Sequence, residues 1–69
     1  MKDNLQQYID FFEAMQAIKN GHTVRNQMEP HLTYFYSLET CKIMTKIYSS
    51  KKLAETLYMP VNVEWWIVE

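Results

Sequence analysis

Few side chains in this 69-residue protein could perform covalent chemistry: Cys41 as a nucleophile, His22 and His31 as bases, and eight aspartates and glutamates. Nucleophilic catalysis needs a nucleophile held by a base and faced by an oxyanion donor, and no local signature around Cys41 supplies that arrangement. Free cysteine is commonly buried as a small apolar residue, and Cys41 is expected in that role. The spacing of His22, His31 and Cys41 lacks the close ligand pairs of zinc sites. Asp10 and Glu13 read as solvated residues on the outer face of a helix, and Glu64 and Glu69 flank two tryptophans without forming an acid–base pattern. The single glycine, Gly21, cannot make a phosphate cradle. No catalytic residue, metal ligand or cofactor is assigned, and the chain reads as a non-enzyme.

Binding chemistry is better represented. Lys42 and Lys46 share a strand face with Tyr48, and Lys51 and Lys52 follow, which suits phosphate oxygens beside a stacking ring. The competing reading is a solvated, charged face that discourages strands from pairing edge to edge. Arg25 and Asn26 come just after the glycine, where a guanidinium can hold a phosphate by two points. The formal net charge of -1 gives no global drive toward nucleic acid or anionic lipid, so a nucleic-acid partner is not expected without a local basic patch.

The elements that would position these groups follow from the apolar pattern. Leu5, Tyr8, Ile9, Phe12, Met15 and Ile18 recur at steps of three and four, which predicts an amphipathic N-terminal helix capped by Asp3 or Asn4, with Phe11 and Ala14 widening the stripe. Gly21 is the expected left-handed residue just past its end. Thr23 and Val24 favour a short strand, and Pro30 marks the turn that follows. In LTYFYSL, Leu32, Tyr34, Tyr36 and Leu38 share one side, while Thr33, Phe35 and Ser37 share the other. KIMTKIY alternates likewise, and the two segments are expected to pair as a hairpin. SSKKLAETLYM reads as either a short second helix or extended chain. VNVEWWIVE predicts a last strand with Val61, Val63, Trp65 and Ile67 on the core face and Trp66 and Val68 on the other.

The fold class is therefore α+β, a single domain over residues 1–69: one N-terminal helix on an antiparallel sheet of three to four strands, with a short second helix before the last strand as an option. A chain that is 48% hydrophobic and 14% aromatic folds rather than staying disordered. No stretch of it resembles a signal peptide or a membrane span, and its one cysteine rules out an internal disulfide. These features point to a reducing, cytosolic setting. A domain this small gains from reinforcement, and self-association into a homo-oligomer is the expected form of it. Phe35, Trp66 and Val68 are the candidate interface residues.

The run FFEAMQAIKNGHTV, Phe11 to Val24, resembles the opening of a family of small phage proteins typified by the Thoeris anti-defence sponge proteins. Phe11, Glu13, Ala14, Ala17, Lys19, Gly21 and Val24 carry the likeness, and the ending EWWIVE, with Trp65, is similar to the family's closing strand. The resemblance implies a helix on a small antiparallel sheet, assembly into homo-oligomers, and non-enzymatic binding of cyclic ADP-ribose isomers or cyclic oligonucleotides. A relative of the same fold is an anti-CRISPR protein. After Arg25 this chain has NQMEPH where the family has a G-W-N-like turn, so the family pocket maps only onto Arg25 and the aromatic strand Tyr34, Phe35 and Tyr36. Together these readings give ligand-binding candidates Arg25, Asn26, Tyr34, Tyr36, Lys42 and Lys46. The expected activity is sequestration of a cyclic nucleotide signal in the cytoplasm of an infected bacterium, with inhibition of a bacterial immune protein as the rival.

Overall fold

The computed structural model describes residues 7–47, 49–50 and 52–68. Asp3, Asn4, Leu5, Tyr48, Lys51 and Glu69, named above, lie outside them. The helix, α1 (Phe11–Lys19), begins later than the periodicity suggests. Asp10 caps it: the Glu13 N–H donates to Asp10 Oδ1 at 2.8 Å, and the Asp10 N–H donates to Glu13 Oε1 at 3.1 Å. This reciprocal capping box satisfies two helix-end donors, so Asp10 and Glu13 are structural termini rather than merely solvated acids. The buried stripe is correspondingly Phe11, Ala14, Met15 and Ile18 with Ala17, whereas Phe12 is 74% exposed. Ile9 is not helical either; it exchanges two backbone hydrogen bonds with Trp65, at 2.8 and 2.9 Å.

At the far end, Gly21 has φ +91°. Its N–H donates to the Ile18 carbonyl at 3.0 Å, and the His22 N–H donates to Ala17 at 2.9 Å. These are the two bonds of a Schellman stop, which needs a left-handed residue where glycine now sits. No atom lies within 4 Å of the position a Cβ would take, so the requirement for glycine is one of backbone conformation alone.

Five strands follow: β1 (Thr23–Asn26), β2 (Leu32–Ser37), β3 (Lys42–Ile47), β4 (Leu53–Glu55) and β5 (Trp65–Val68). They form one antiparallel sheet in the order β4-β3-β2-β1-β5. The expected β2–β3 hairpin is present, with Tyr34 opposite Thr45 and Phe35 opposite Met44. The second helix is not: Leu53–Glu55 pairs with β3, and residues 56–64 are irregular. Pairing satisfies the outer edge of β3. The chain must then return from β4 to β5 across four strand spacings, about 19 Å, which extended residues span readily and a compact helix does not.

That return lies on the helix-bearing face. Thr56 Oγ1 meets Thr45 Oγ1 at 2.6 Å, Pro60 is buried, and Met59 and Val63 pack against the core. Val61, expected in the last strand, precedes it and is 56% exposed. The core itself is Ala14, Ala17, Ile18, Val24, Tyr34 and Trp65, with the Tyr34 and Trp65 rings edge to face at 5.2 Å. Among the described residues, neither α1 nor the 56–64 return covers the sheet's other face.

Candidate functional site

Alternation along each strand decides which side chains that other face carries. On β1 they are Thr23 and Arg25, since Val24 is in the core; on β2, Thr33, Phe35 and Ser37; on β3, Lys42, Met44 and Lys46. On β4 they are Leu53 and Glu55, and on β5, Trp66 and Val68, because Trp65 is fully buried. The registers place Leu53 beside Lys46, Lys46 beside Thr33, and Arg25 beside Trp66 in one row across the sheet. Glu55, Met44 and Phe35 lie in the next row, which ends with Thr23 beside Val68.

A shallow concavity of about 330 Å³ lies in this face, lined by Thr23, Thr33, Phe35, Lys46 and Leu53. It combines a ring, an ammonium group and two threonines, with no acid among the described residues that line it. The Thr33 hydroxyl donates to the Lys46 carbonyl at 3.3 Å, tying together the two strands that present Phe35 and Lys46. Lys42, two same-face positions from Lys46 along β3, pairs with Glu55 at 3.3 Å; both side chains are more than half exposed, so the pair contributes little to stability.

The six ligand-binding candidates are thus divided by the sheet. Arg25, Lys42 and Lys46 share the uncovered face. Asn26 and Tyr34 do not: both are buried on the helix side, where no ligand on the other face can touch them. Asn26 accepts from the Glu29 N–H at 2.7 Å and the Tyr34 hydroxyl donates to Glu29 Oε1 at 3.2 Å, so this pair builds the 27–31 loop. Burial pushes the Tyr34 hydroxyl pKa above its ordinary 10.0, the Asn26 amide works against that shift, and the Glu29 carboxylate adds to it. Tyr36 lies on the helix side by alternation yet is 41% exposed, and the neighbouring Cys41 thiol raises its pKa. Arg25 reaches the same loop from the opposite side, donating from Nε to the Pro30 carbonyl at 2.8 Å and from Nη2 to the same oxygen.

Of the interface candidates, Phe35, Trp66 and Val68 all lie on the uncovered face. Tyr8, which the periodicity assigns to the helix stripe, stands edge to face against Trp66 at 5.8 Å instead. Cys41 is not buried. It is exposed in the β2–β3 turn at φ 59°, with its N–H donating to the Ser37 carbonyl at 2.8 Å. Among the described residues no three of His, Cys, Asp and Glu gather where they could hold a metal, and no helix is long and apolar enough to cross a membrane. Thr23, Thr33 and Leu53 were read from the sequence only as parts of their elements, not as site residues. The alternation that places Phe35 with Thr33 was visible, but the register that brings β1 and β4 alongside was not. No family model, curated protein or solved structure matches the chain.

Proposed function

We propose that this protein is a non-enzymatic phage counter-defence protein that sequesters a cyclic nucleotide immune signal in the cytoplasm of an infected bacterium. The observation that carries this reading is the concavity where Phe35, Lys46, Thr23 and Thr33 meet. A nucleobase stacks on the Phe35 ring, the Lys46 ammonium faces a phosphate, and the Thr23 hydroxyl hydrogen-bonds to a sugar or phosphate oxygen, while the buried Thr33 hydroxyl holds the Lys46 carbonyl. Arg25 lies in the same register row as Lys46 and Thr33, and assembly into a homo-oligomer reinforces a domain this small. Native mass spectrometry with a panel of cyclic ADP-ribose isomers and cyclic oligonucleotides tests it. Bound ligand is expected at fixed stoichiometry and is released unaltered on denaturation; chemically altered ligand contradicts the reading.

A second reading, inhibition of a bacterial immune protein such as a CRISPR–Cas nuclease, draws on Trp66, Val68, Met44 and Leu53, the apolar groups of the same face. Aromatic anchors of this kind dominate protein interfaces. For that reading Trp66→Ala abolishes binding to the purified target while thermal unfolding is unchanged; undiminished binding removes Trp66 from the surface.

A further inference from the structure

The two edges of the sheet are finished differently. At β5 the Ile9 backbone exchanges two hydrogen bonds with Trp65, so part of that edge is occupied. At the other end no strand lies beyond β4 among the described residues. The Ile47 N–H donates to the Lys52 carbonyl and the Thr56 N–H to the Ile43 carbonyl, each at 3.0 Å, and hydrogen-bonded pairs alternate with non-hydrogen-bonded ones along an antiparallel ladder. Ala54 therefore bonds inward to Thr45, while the N–H and C=O groups of Leu53 and Glu55 point away from the sheet. All three residues of β4 are exposed.

We propose that β4 pairs antiparallel with β4 of a second copy of this chain, about a two-fold axis beside Ala54, joining two five-stranded sheets into one. The outward groups set the register. Leu53 lies opposite the partner's Glu55, each exchanging an N–H and a C=O, and the two-fold repeats the pair to give four hydrogen bonds, with the small Ala54 side chains nearest the axis. Charge also favours a second copy over an unrelated strand. Lys46 neighbours Leu53 in register, so the partner's Glu55 falls in the same row, two strand spacings or about 10 Å away and within the joint reach of two long side chains. Lys46 forms no ion pair among the described residues, and Lys42 engages only Oε1 of Glu55. Leu53, 58% exposed, lies diagonal to its own copy across the axis. The concavity lined by Lys46 and Leu53 then borders the axis, with the partner's Glu55 at its rim. The proposal rests on the homo-oligomer of the preceding reading and not on its ligand.

The test is sedimentation equilibrium of the whole chain over a range of concentrations, without nucleotide. A reversible association with a dimer as its first step is expected. Glu55→Pro removes one outward N–H per chain and none of the inward bonds to β3, so it is expected to raise the dimer dissociation constant roughly 30-fold for the two hydrogen bonds lost. Glu55→Lys sets like charges in the shared row and is expected to raise the constant about fivefold, and adding Lys46→Glu is expected to restore it. The charge reversal and its rescue keep the test decisive if the proline variant misfolds. A chain that stays monomeric at every concentration, or a dimer indifferent to all of these changes, overturns the proposal. Nucleotide binding by such a monomer leaves the ligand of the preceding reading in place, whereas a dimer that responds to these changes but binds no nucleotide supports the β4 edge and contradicts that ligand.

Discussion

At the scale of single residues, the ends of α1 are the most sharply determined features. Asp10→Ala removes a side-chain acceptor and half of a capping box, and is expected to lower stability by about 1 kcal/mol in urea unfolding. Gly21→Ala meets open space but keeps the positive φ, so a loss of about 1 kcal/mol is expected from backbone strain alone. The glycine's role was legible in the sequence because one glycine between a helical stripe and a β-branched pair has few other uses. The cap was not read: the stripe from Leu5 places it at Asp3 or Asn4, and the Asp-x-x-Glu spacing of Asp10 and Glu13 passes for a solvated face. Tyr34 offers a pH test. Its hydroxyl pKa is raised in the folded state, so the folded protein holds the proton longer than the unfolded chain. Stability from this group is complete below about pH 10 and declines as pH rises through the folded value. Tyr34→Phe is expected to flatten that alkaline decline, read from unfolding midpoints between neutral and strongly alkaline pH; an unchanged decline contradicts the assignment.

At the scale of elements, the helix register separates two adjacent phenylalanines. Phe11 packs against the Trp65 ring at 6.1 Å, whereas Phe12 is 74% exposed. Phe11→Ala is expected to cost about 3 kcal/mol and Phe12→Ala less than about 0.5 kcal/mol, compared by thermal and urea unfolding. The reverse order contradicts the register. Periodicity alone leaned toward Phe12, since its spacing to Ile9 and Met15 is also helical. Strand alternation was a better guide: the faces of Leu32–Ser37 and Lys42–Ile47, and the opposite fates of Trp65 and Trp66, read through from sequence. Leu53–Glu55 did not. Its leucine and alanine spacing fits a helical turn, and its pairing with β3 is a long-range choice made by an unsatisfied sheet edge.

At the scale of the whole molecule, a helix of nine residues is about 14 Å long, while the protein extends 37 Å along its longest axis. Among the described residues, one short helix and an irregular return cover one side of the five-stranded sheet, and on the other side Tyr8 stands against Trp66. The other side therefore gathers what the individual strands carry outward: Phe35, Trp66, Lys46 and Arg25. Part of this site was legible, because Lys42, Lys46 and the second face of the last strand stand out in sequence. Asn26 and Tyr34 were misassigned to it because adjacency to Arg25 and Phe35 along the chain means the opposite face of the sheet. Thr23 and Leu53 join it only through strand order, which no local pattern encodes.

The central claim is that the sheet face opposite α1 is the working surface, and backbone and indole N–H chemical shifts during titration with a cyclic dinucleotide test it most directly. Shifts are expected at Thr23, Thr33, Phe35 and Lys46, while the enclosed Trp65 indole stays still. Shifts confined to α1 and the Cys41 turn, or none with any nucleotide, would contradict the account.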